Sequence, residues 1–282
     1  EVLNMTIIQA ILLGALQGVA EFLPISSSGH LKIAQKLFDL DDVPLLFDVF
    51  LHLSTLLAVF IFFRKEICEF FKVLYRWIFK KPESTLNNVN GLCENDSAGR
   101  RTIIAILITT LITGIMGIAS SKIIPDLPIK FVFIGFFVTS AFLIISSVLS
   151  KKQKQQEYTG ITIKQSIIIG LLQGVGTLPG ISRSGSTIAG AMFSGVKRNL
   201  AGEYSFIVSI PAILGAFLLE LKDLNQVNSM IGIFPLLVGC LVSFIVGYFS
   251  LACLMKIIKK GKLEWFAAYL IPVAILGLIF IA

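Results

Sequence analysis

Six long apolar runs, at about 45–63, 103–120, 129–149, 203–221, 231–254 and 263–282, dominate the chain. Each has roughly the 17–25 residues that an α-helix needs to cross the hydrocarbon core of a bilayer. In that core every backbone N–H and C=O must find its partner inside the protein, so only helices and closed barrels cross it. Continuous runs of this length, without strand alternation, select helices. Charged residues make up only 15% of the chain, against about 25% in an average soluble domain. An ordinary soluble enzyme, a disordered chain and a collagen-like repeat are thereby excluded. The net charge of +7 does not point to nucleic acid. The basic residues lie between apolar runs, where they set orientation in a membrane.

Two further apolar regions, 5–38 and 161–196, are broken. Each holds a helical run, then a knot of Pro, Ser and Gly, then a second short run. The knots are Pro24-Ile25-Ser26-Ser27-Ser28-Gly29-His30 and Pro179-Gly180-Ile181-Ser182-Arg183-Ser184-Gly185. At an offset of 156, Thr6 to His30 aligns without a gap on Thr162 to Ser186, and 13 of 25 positions are identical. Biased membrane composition yields a few chance matches. It does not readily align Gln17-Gly18-Val19 with Gln173-Gly174-Val175 and Ser26-x-Ser28-Gly29 with Ser182-x-Ser184-Gly185. The chain is an internal duplication, with repeat 1 over about 5–150 and repeat 2 over about 161–282 of a single membrane domain, 1–282.

Counting Lys and Arg decides whether the broken regions cross the membrane. If each is a re-entrant hairpin, entering and leaving on one side, six full spans remain and the basic residues divide 18 to 5, with Arg183 set aside inside a knot. If each crosses once, the division is 13 to 10. Cytoplasmic loops carry the excess of Lys and Arg, which selects six spans. The expected fold is therefore all-α and integral to the cell membrane, multi-pass, with six transmembrane helices and two re-entrant helical hairpins. A hairpin plus three spans per repeat makes the second repeat inverted. The first hairpin then opens outward and the second to the cytoplasm, with their tips near the midplane, a plan familiar from transporters.

The long segment 64–101 reads as a cytoplasmic interfacial helix followed by a polar loop. Ile67, Phe70, Phe71, Leu74 and Ile78 share one helical face, away from Lys65, Glu69, Lys72, Arg76 and Lys80, the pattern of a helix lying in the leaflet surface. Asn95-Asp96-Ser97, formally a glycosylation sequon, falls in that loop on the cytoplasmic side. The four cysteines have neither zinc nor disulfide spacing. No cleavable signal peptide is expected, since the first apolar stretch lacks a basic lead and a small-residue cleavage site.

Ionisable side chains at membrane depth are candidates for function. Glu21 and His30 belong to the first hairpin and Arg183 to the second. Asp48 and Glu203 read as interfacial or capping residues, and His52 as a structural hydrogen bonder. Gln17 and Glu21, four residues apart, share a helix face. A helix restarting after Pro24 turns its free N–H groups and positive dipole end toward Ser26, Ser27, Ser28, Gly29 and His30, an anion site. The second knot offers the same geometry with Ser182, Arg183, Ser184 and Thr187. A guanidinium between two helix ends suits a highly charged anion such as a diphosphate. Holding an anion requires no Glu, His and nucleophilic Ser beside it. With Ser27 as nucleophile, His30 as base or acid, and a divalent ion between Glu21 and the phosphates, the set suits phosphoester hydrolysis.

Gln17-Gly18-Val19-Ala20-Glu21-Phe22-Leu23-Pro24 with Ser26 to His30, and Pro179 to Thr187, closely resemble the undecaprenyl-diphosphatase family, the bacitracin-resistance membrane phosphatases. The family pattern is (E/Q)xxxE, a following His, and PGxSRSxxT. The resemblance covers the chain from about residue 5 to its end. It implies hydrolysis of a polyisoprenyl diphosphate to the monophosphate and inorganic phosphate, recycling a lipid carrier for wall polymers, with a divalent cation, Mg²⁺ or Ca²⁺, as cofactor. It implies Glu21, Ser27, His30 and Arg183 as catalytic residues, Glu21 also as metal ligand, and Gln17, Ser26, Ser28, Gly29, Ser182, Ser184 and Thr187 as substrate-binding. Many members carry Glu at the Gln17 position, so Gln17 brings no charge to a metal here. The expected partners are the lipid diphosphate, the membrane and a second copy in a homodimer, with the active site opening to the outer face. A transporter or flippase for isoprenyl phosphate is the competing reading, since inverted repeats suit alternating access.

Overall fold

In a computed structural model, which describes residues 5–40, 45–83, 91–123, 127–150, 158–220 and 232–281, both broken regions start on the same signal. Thr6 and Thr162 each cap a helix, the hydroxyl accepting from the N–H three residues on, while Gln9 and Gln165 reach back to the cap N–H. This reciprocal box satisfies two of the amide donors that a helix start leaves orphaned. The helices so begun are α1 (Ile7–Phe22) and α7 (Ile163–Val175). After the knots, α2 (Ser27–Leu37) and α8 (Arg183–Phe193) start and stop at equivalent positions, each 11 residues long. The breaks fall where Pro24 and Pro179-Gly180 place them. Gly180 is needed there: its φ is +82°, and a Cβ would lie 2.1 Å from the Val132 carbonyl oxygen.

The remaining helices are α3 (Leu45–Phe62), α4 (Arg64–Ile78), α5 (Asp96–Ile123), α6 (Lys130–Ser150), α9 (Arg198–Glu220), α10 (Ile233–Lys260) and α11 (Glu264–Phe280). Among the described residues there is no strand. Four helices, α5, α6, α9 and α10, are long and apolar enough to cross a membrane. A fifth candidate is the pair α3 and α4, bent by 76° at its break. The chain is a multi-pass membrane protein. Leu107, Leu111, Ile115 and Phe249 on these helices are exposed, as side chains facing acyl chains would be.

The two halves interleave. α1 packs against α10, and α7 against α5, so the first helix of each repeat lies on the 28-residue helix of the other. Glycine permits the closeness: a Cβ on Gly14 would sit 2.3 Å from the Gly239 carbonyl oxygen. Such small-residue contacts let membrane helices pack backbone to backbone. The arrangement also brings both knots to one place, with the Ser184 hydroxyl donating to the Phe22 carbonyl at 3.3 Å.

The 64–101 segment differs in detail from the sequence reading. The apolar face of α4 is split: Phe70 and Val73 are buried, while Phe71, Tyr75, Ile78 and Phe79 are exposed. Arg76 is not solvated but makes a two-point contact with Asp96, at 2.7 and 2.6 Å. That contact ties α4 to the first turn of α5. The sequon is also no loop. The Asn95 side chain accepts from the Ala98 N–H at 2.8 Å, and Asp96 is the first residue of α5, an acidic start that suits the helix dipole.

Candidate active site

The site is built around one carboxylate. Glu21 lies in the last turn of α1 and its side chain is only 4% exposed. A buried carboxylate is stable only when it is paired and hydrogen-bonded, and here it collects four donors. Arg183 Nη2 approaches Oε1. Ser27 Oγ donates to Oε2 at 2.7 Å. Gln17 Nε2, one turn earlier on the same face, donates to Oε2 at 3.1 Å, as the i,i+4 spacing requires. His52 Nε2 stands 3.3 Å from the same oxygen. Ser27 and Arg183 are equivalent residues of the two repeats, each the first residue of its helix, and they meet on opposite oxygens of Glu21.

The two helix starts differ. Ser182 caps α8 in the ordinary way, its hydroxyl accepting from the Gly185 N–H at 3.1 Å. Ser26, its counterpart, has φ +70° and caps nothing. The opening turn of α2 therefore keeps its N–H groups turned toward the knot without a side-chain partner. Convergence of two open helix ends, expected from the sequence, reduces to one. Thr187 shares its proton between the Arg183 carbonyl and the Gln173 side-chain oxygen, and Ser184 donates to the Phe22 carbonyl and accepts from the Ser182 hydroxyl. Of these contacts, Ser184 to Phe22 crosses to the first half and the others brace the second. Ser28 is exposed and Ser27 half-buried. Gly29 backs onto α6, where a Cβ would meet the Phe136 ring at 2.6 Å.

Both ring nitrogens of His30 have partners other than Ser27. Its Nδ1 bonds the Ser26 carbonyl at 2.9 Å, and its Nε2 meets the Tyr269 hydroxyl at 3.0 Å. A carbonyl only accepts, so Nδ1 carries the proton and Nε2 accepts from the phenol. The ring is stacked between Phe136 and Tyr269. The spacing of three residues suggested a Ser27–His30 pair; the structure pairs Ser27 with Glu21.

His52 is the residue that the sequence reading set aside. Its Nδ1 bonds the Asp48 carbonyl at 2.7 Å, and the Asp48 carboxylate accepts from Gln35 Nε2 at 2.9 Å. The available signal was Asp48-x-x-x-His52, two ionisable groups one turn apart in an apolar span. Glu203 neither caps nor faces water fully: its Oε2 is buried without a partner near Gly91.

Four buried polar atoms around the knots lack a partner: Arg183 Nη1, Gln17 Oε1, Ser26 Oγ and Ser186 Oγ. Such groups are costly unless something satisfies them. One offers a cationic donor and another a neutral oxygen beside Glu21, the complement of an anion with an associated cation. Among the described residues no three His, Cys, Asp or Glu side chains stand together to cage a metal. The donor set therefore fits a divalent ion only if phosphate oxygens and water supply most of its ligands, which is how Mg²⁺ is usually held.

Residues 10–276 match the family described as bacitracin resistance protein BacA. A Treponema denticola protein named undecaprenyl-diphosphatase is 45% identical over 271 residues, 96% of each chain. Proteins of the same name from Methanosphaera stadtmanae and Borrelia recurrentis are 39% and 36% identical. They cover 97% of both chains, and 95% of this chain and 96% of the relative.

Proposed function

We propose that this chain, which belongs to the bacitracin resistance protein BacA family, hydrolyses undecaprenyl diphosphate to the monophosphate and inorganic phosphate. The observation that carries this reading is the meeting of Ser27 and Arg183 on Glu21, with a second arm of the guanidinium left free. Ser27 Oγ attacks the terminal phosphorus. Glu21, which already accepts the Ser27 proton at 2.7 Å, takes it as general base. The anhydride P–O bond breaks, the lipid monophosphate leaves with the bridging oxygen, and water then cleaves the phosphoserine. Arg183 and the N–H groups at the start of α2 hold the phosphate charge that builds up in each step. His30, by fixing the Ser26 carbonyl, holds the strained turn that aims Ser27. A divalent cation held by Glu21 and the free Gln17 oxygen would neutralise part of the diphosphate charge. Transport without hydrolysis leaves the Ser27–Glu21 bond without a use.

The test is phosphate release from farnesyl diphosphate by purified protein in detergent with Mg²⁺, abolished by EDTA. An active protein indifferent to chelation would remove the cation from the reading, and no release at all would overturn the reading itself.

The same proposal includes the finer topology: six spans, the α1–α2 and α7–α8 pairs as opposed re-entrant hairpins, basic loops in the cytoplasm and a catalytic mouth facing outward. The 18-to-5 charge division supports it. Single cysteines at Asn90 and Gln155 should react only from the cytoplasm and one at Asp126 only from outside; these three positions lie outside the described residues. Cys68, Cys240 and Cys253 must first be replaced. Cys93 can stay, since burial and then the nearby Glu69 and Asp96 charges push its thiol up to about 12, which leaves it unreactive at neutral pH. Asn90 and Gln155 reacting from opposite sides would overturn the arrangement.

A further inference from the structure

We propose that His52 is a positioning residue that keeps Glu21 aimed at Ser27 after the substrate has drawn Arg183 away. The inference rests on the hydrolytic reading and deepens it. In the structure Arg183 binds Glu21 through Nη2 while its buried Nη1 has no partner. A phosphate matches both arms of a guanidinium at once. An incoming diphosphate that takes both arms removes the strongest cationic partner from a carboxylate only 4% exposed, and a buried charge left so is strongly unfavourable. His52 already occupies the replacement position. Its Nε2 lies 3.3 Å from Oε2, the oxygen that holds Ser27 and not the one that Arg183 binds. Its contact therefore survives the departure of Arg183.

The ring is held for this purpose. Nδ1 faces the Asp48 carbonyl at 2.7 Å, which can only accept, so that nitrogen donates and fixes the ring plane; Nε2, facing a carboxylate, must carry a proton as well, so the role belongs to the imidazolium form. The Asp48 carboxylate is itself held by Gln35. Gln35 lies on α2, the helix that begins with Ser27. The contacts close a circuit: Ser27 to Glu21 on α1, Glu21 to His52 and Asp48 on α3, and Asp48 to Gln35 back on α2. His52 is the link between α1 and α3 in that circuit. At 27% side-chain exposure it is also more open than Glu21 or Arg183.

The role predicts a dependence on reach more than on the imidazole. A Gln amide at position 52 can still donate to Glu21, an Asn amide is one carbon short, and Leu fills the space without donating. His52→Leu and His52→Asn should lower kcat on farnesyl diphosphate about 10- to 100-fold, the usual scale for a lost supporting contact, with KM nearly unchanged. His52→Gln, which keeps the donor and its reach but not the charge, should recover part of the loss. Labelling of Ser27 by substrate should slow in parallel. Wild-type kcat in His52→Leu, an effect confined to KM, or a His52→Gln no better than His52→Leu would overturn the role. Should His52→Leu fail to fold, the Gln and Asn variants decide alone: equal activity overturns it. A wild-type protein that releases no phosphate sinks both the hydrolytic reading and this role. An active wild type with indifferent His52 variants sinks only the role.

Discussion

The two knots are built on one plan and used for different ends. Each follows a helix that starts at a Thr–Gln capping box, and each opens an 11-residue helix. Gln17 and Gln173 occupy the same place, but Gln17 donates to a carboxylate while Gln173 joins two hydroxyls, Thr113 and Thr187. Glu21 is matched by Thr177, whose hydroxyl bonds its own helix at Gly174. His30 is matched by Ser186. The first knot concentrates reactive groups around a strained, uncapped helix start. The second is capped and bonded largely within its own half, and its one charged group is Arg183. On the proposed function, the two matching halves form a common frame and the reactive groups gather in one of them.

If that division is right, the first knot carries the covalent step and substitutions there have the largest effect. Brief reaction with labelled substrate should give an acid-stable phosphoenzyme, absent in Ser27→Ala, with turnover lost in both Ser27→Ala and Glu21→Gln. An acid-labile, base-stable label would move the nucleophile to His30 and break the assignment. Ser186→Ala, the counterpart in the second knot, should leave labelling intact.

Arg183 is the charged side chain with which the second knot reaches the first. Arg183→Lys keeps the charge but loses the fork. Loss of a preorganised contact to transition-state charge costs about 3–4 kcal/mol, roughly a hundred- to thousand-fold in kcat. Wild-type turnover in Arg183→Lys would return the second knot to scaffolding alone.

Much of this was legible in the sequence because it is local or repeated. The breaks follow from Pro24 and Pro179-Gly180, and the start of α8 is that of α2 displaced by 156. Glu21, Ser27 and Arg183 stand out as polar groups in apolar surroundings. The rest depends on contacts that no spacing encodes. Tyr269 reaches His30 across 239 residues and occupies the nitrogen that a Ser27 base would have used. His52 reaches Glu21 from another helix. The positive φ of Ser26 is invisible beside an identical-looking Ser182. In α4, Phe70 and Phe71 read as one face, yet only packing against α5 decides which of them is covered.

The paired glutamines sharpen the comparison at a smaller scale. Gln17→Ala should lower kcat by about tenfold, the scale of a lost supporting contact, and, since Gln17 is as buried as Gln173, lower the melting temperature as well. Gln173→Ala strips a partner from Thr113 and Thr187 in a fully buried place. Unsatisfied buried groups cost about 1–3 kcal/mol, so its melting temperature in detergent should fall while turnover stays within a few-fold. Equal loss of activity in both variants would mean that the second knot shares in the chemistry.

The smallest effect concerns the two cap serines, and its sign is the test. Ser182 bonds Gly185 and sits in ordinary extended backbone, so Ser182→Ala should destabilise by about 1 kcal/mol, the usual value of a lost N-cap. Ser26 has φ +70° and a buried hydroxyl without a partner. Strain of this kind costs on the order of 1–3 kcal/mol in a non-glycine residue, and glycine adopts the conformation without a Cβ clash. Ser26→Gly also removes the orphaned hydroxyl. Against this stands the greater freedom of glycine in the unfolded chain, about 0.4–1 kcal/mol. The balance favours the variant, so Ser26→Gly should melt higher than wild type by a few degrees and Ser182→Ala lower, in the same detergent. Turnover in Ser26→Gly should fall as stability rises, since a turn released from strain no longer fixes the direction of Ser27. Shifts of the same sign in both variants would show that the two helix starts are energetically alike, and that the strain at Ser26 is not stored for catalysis.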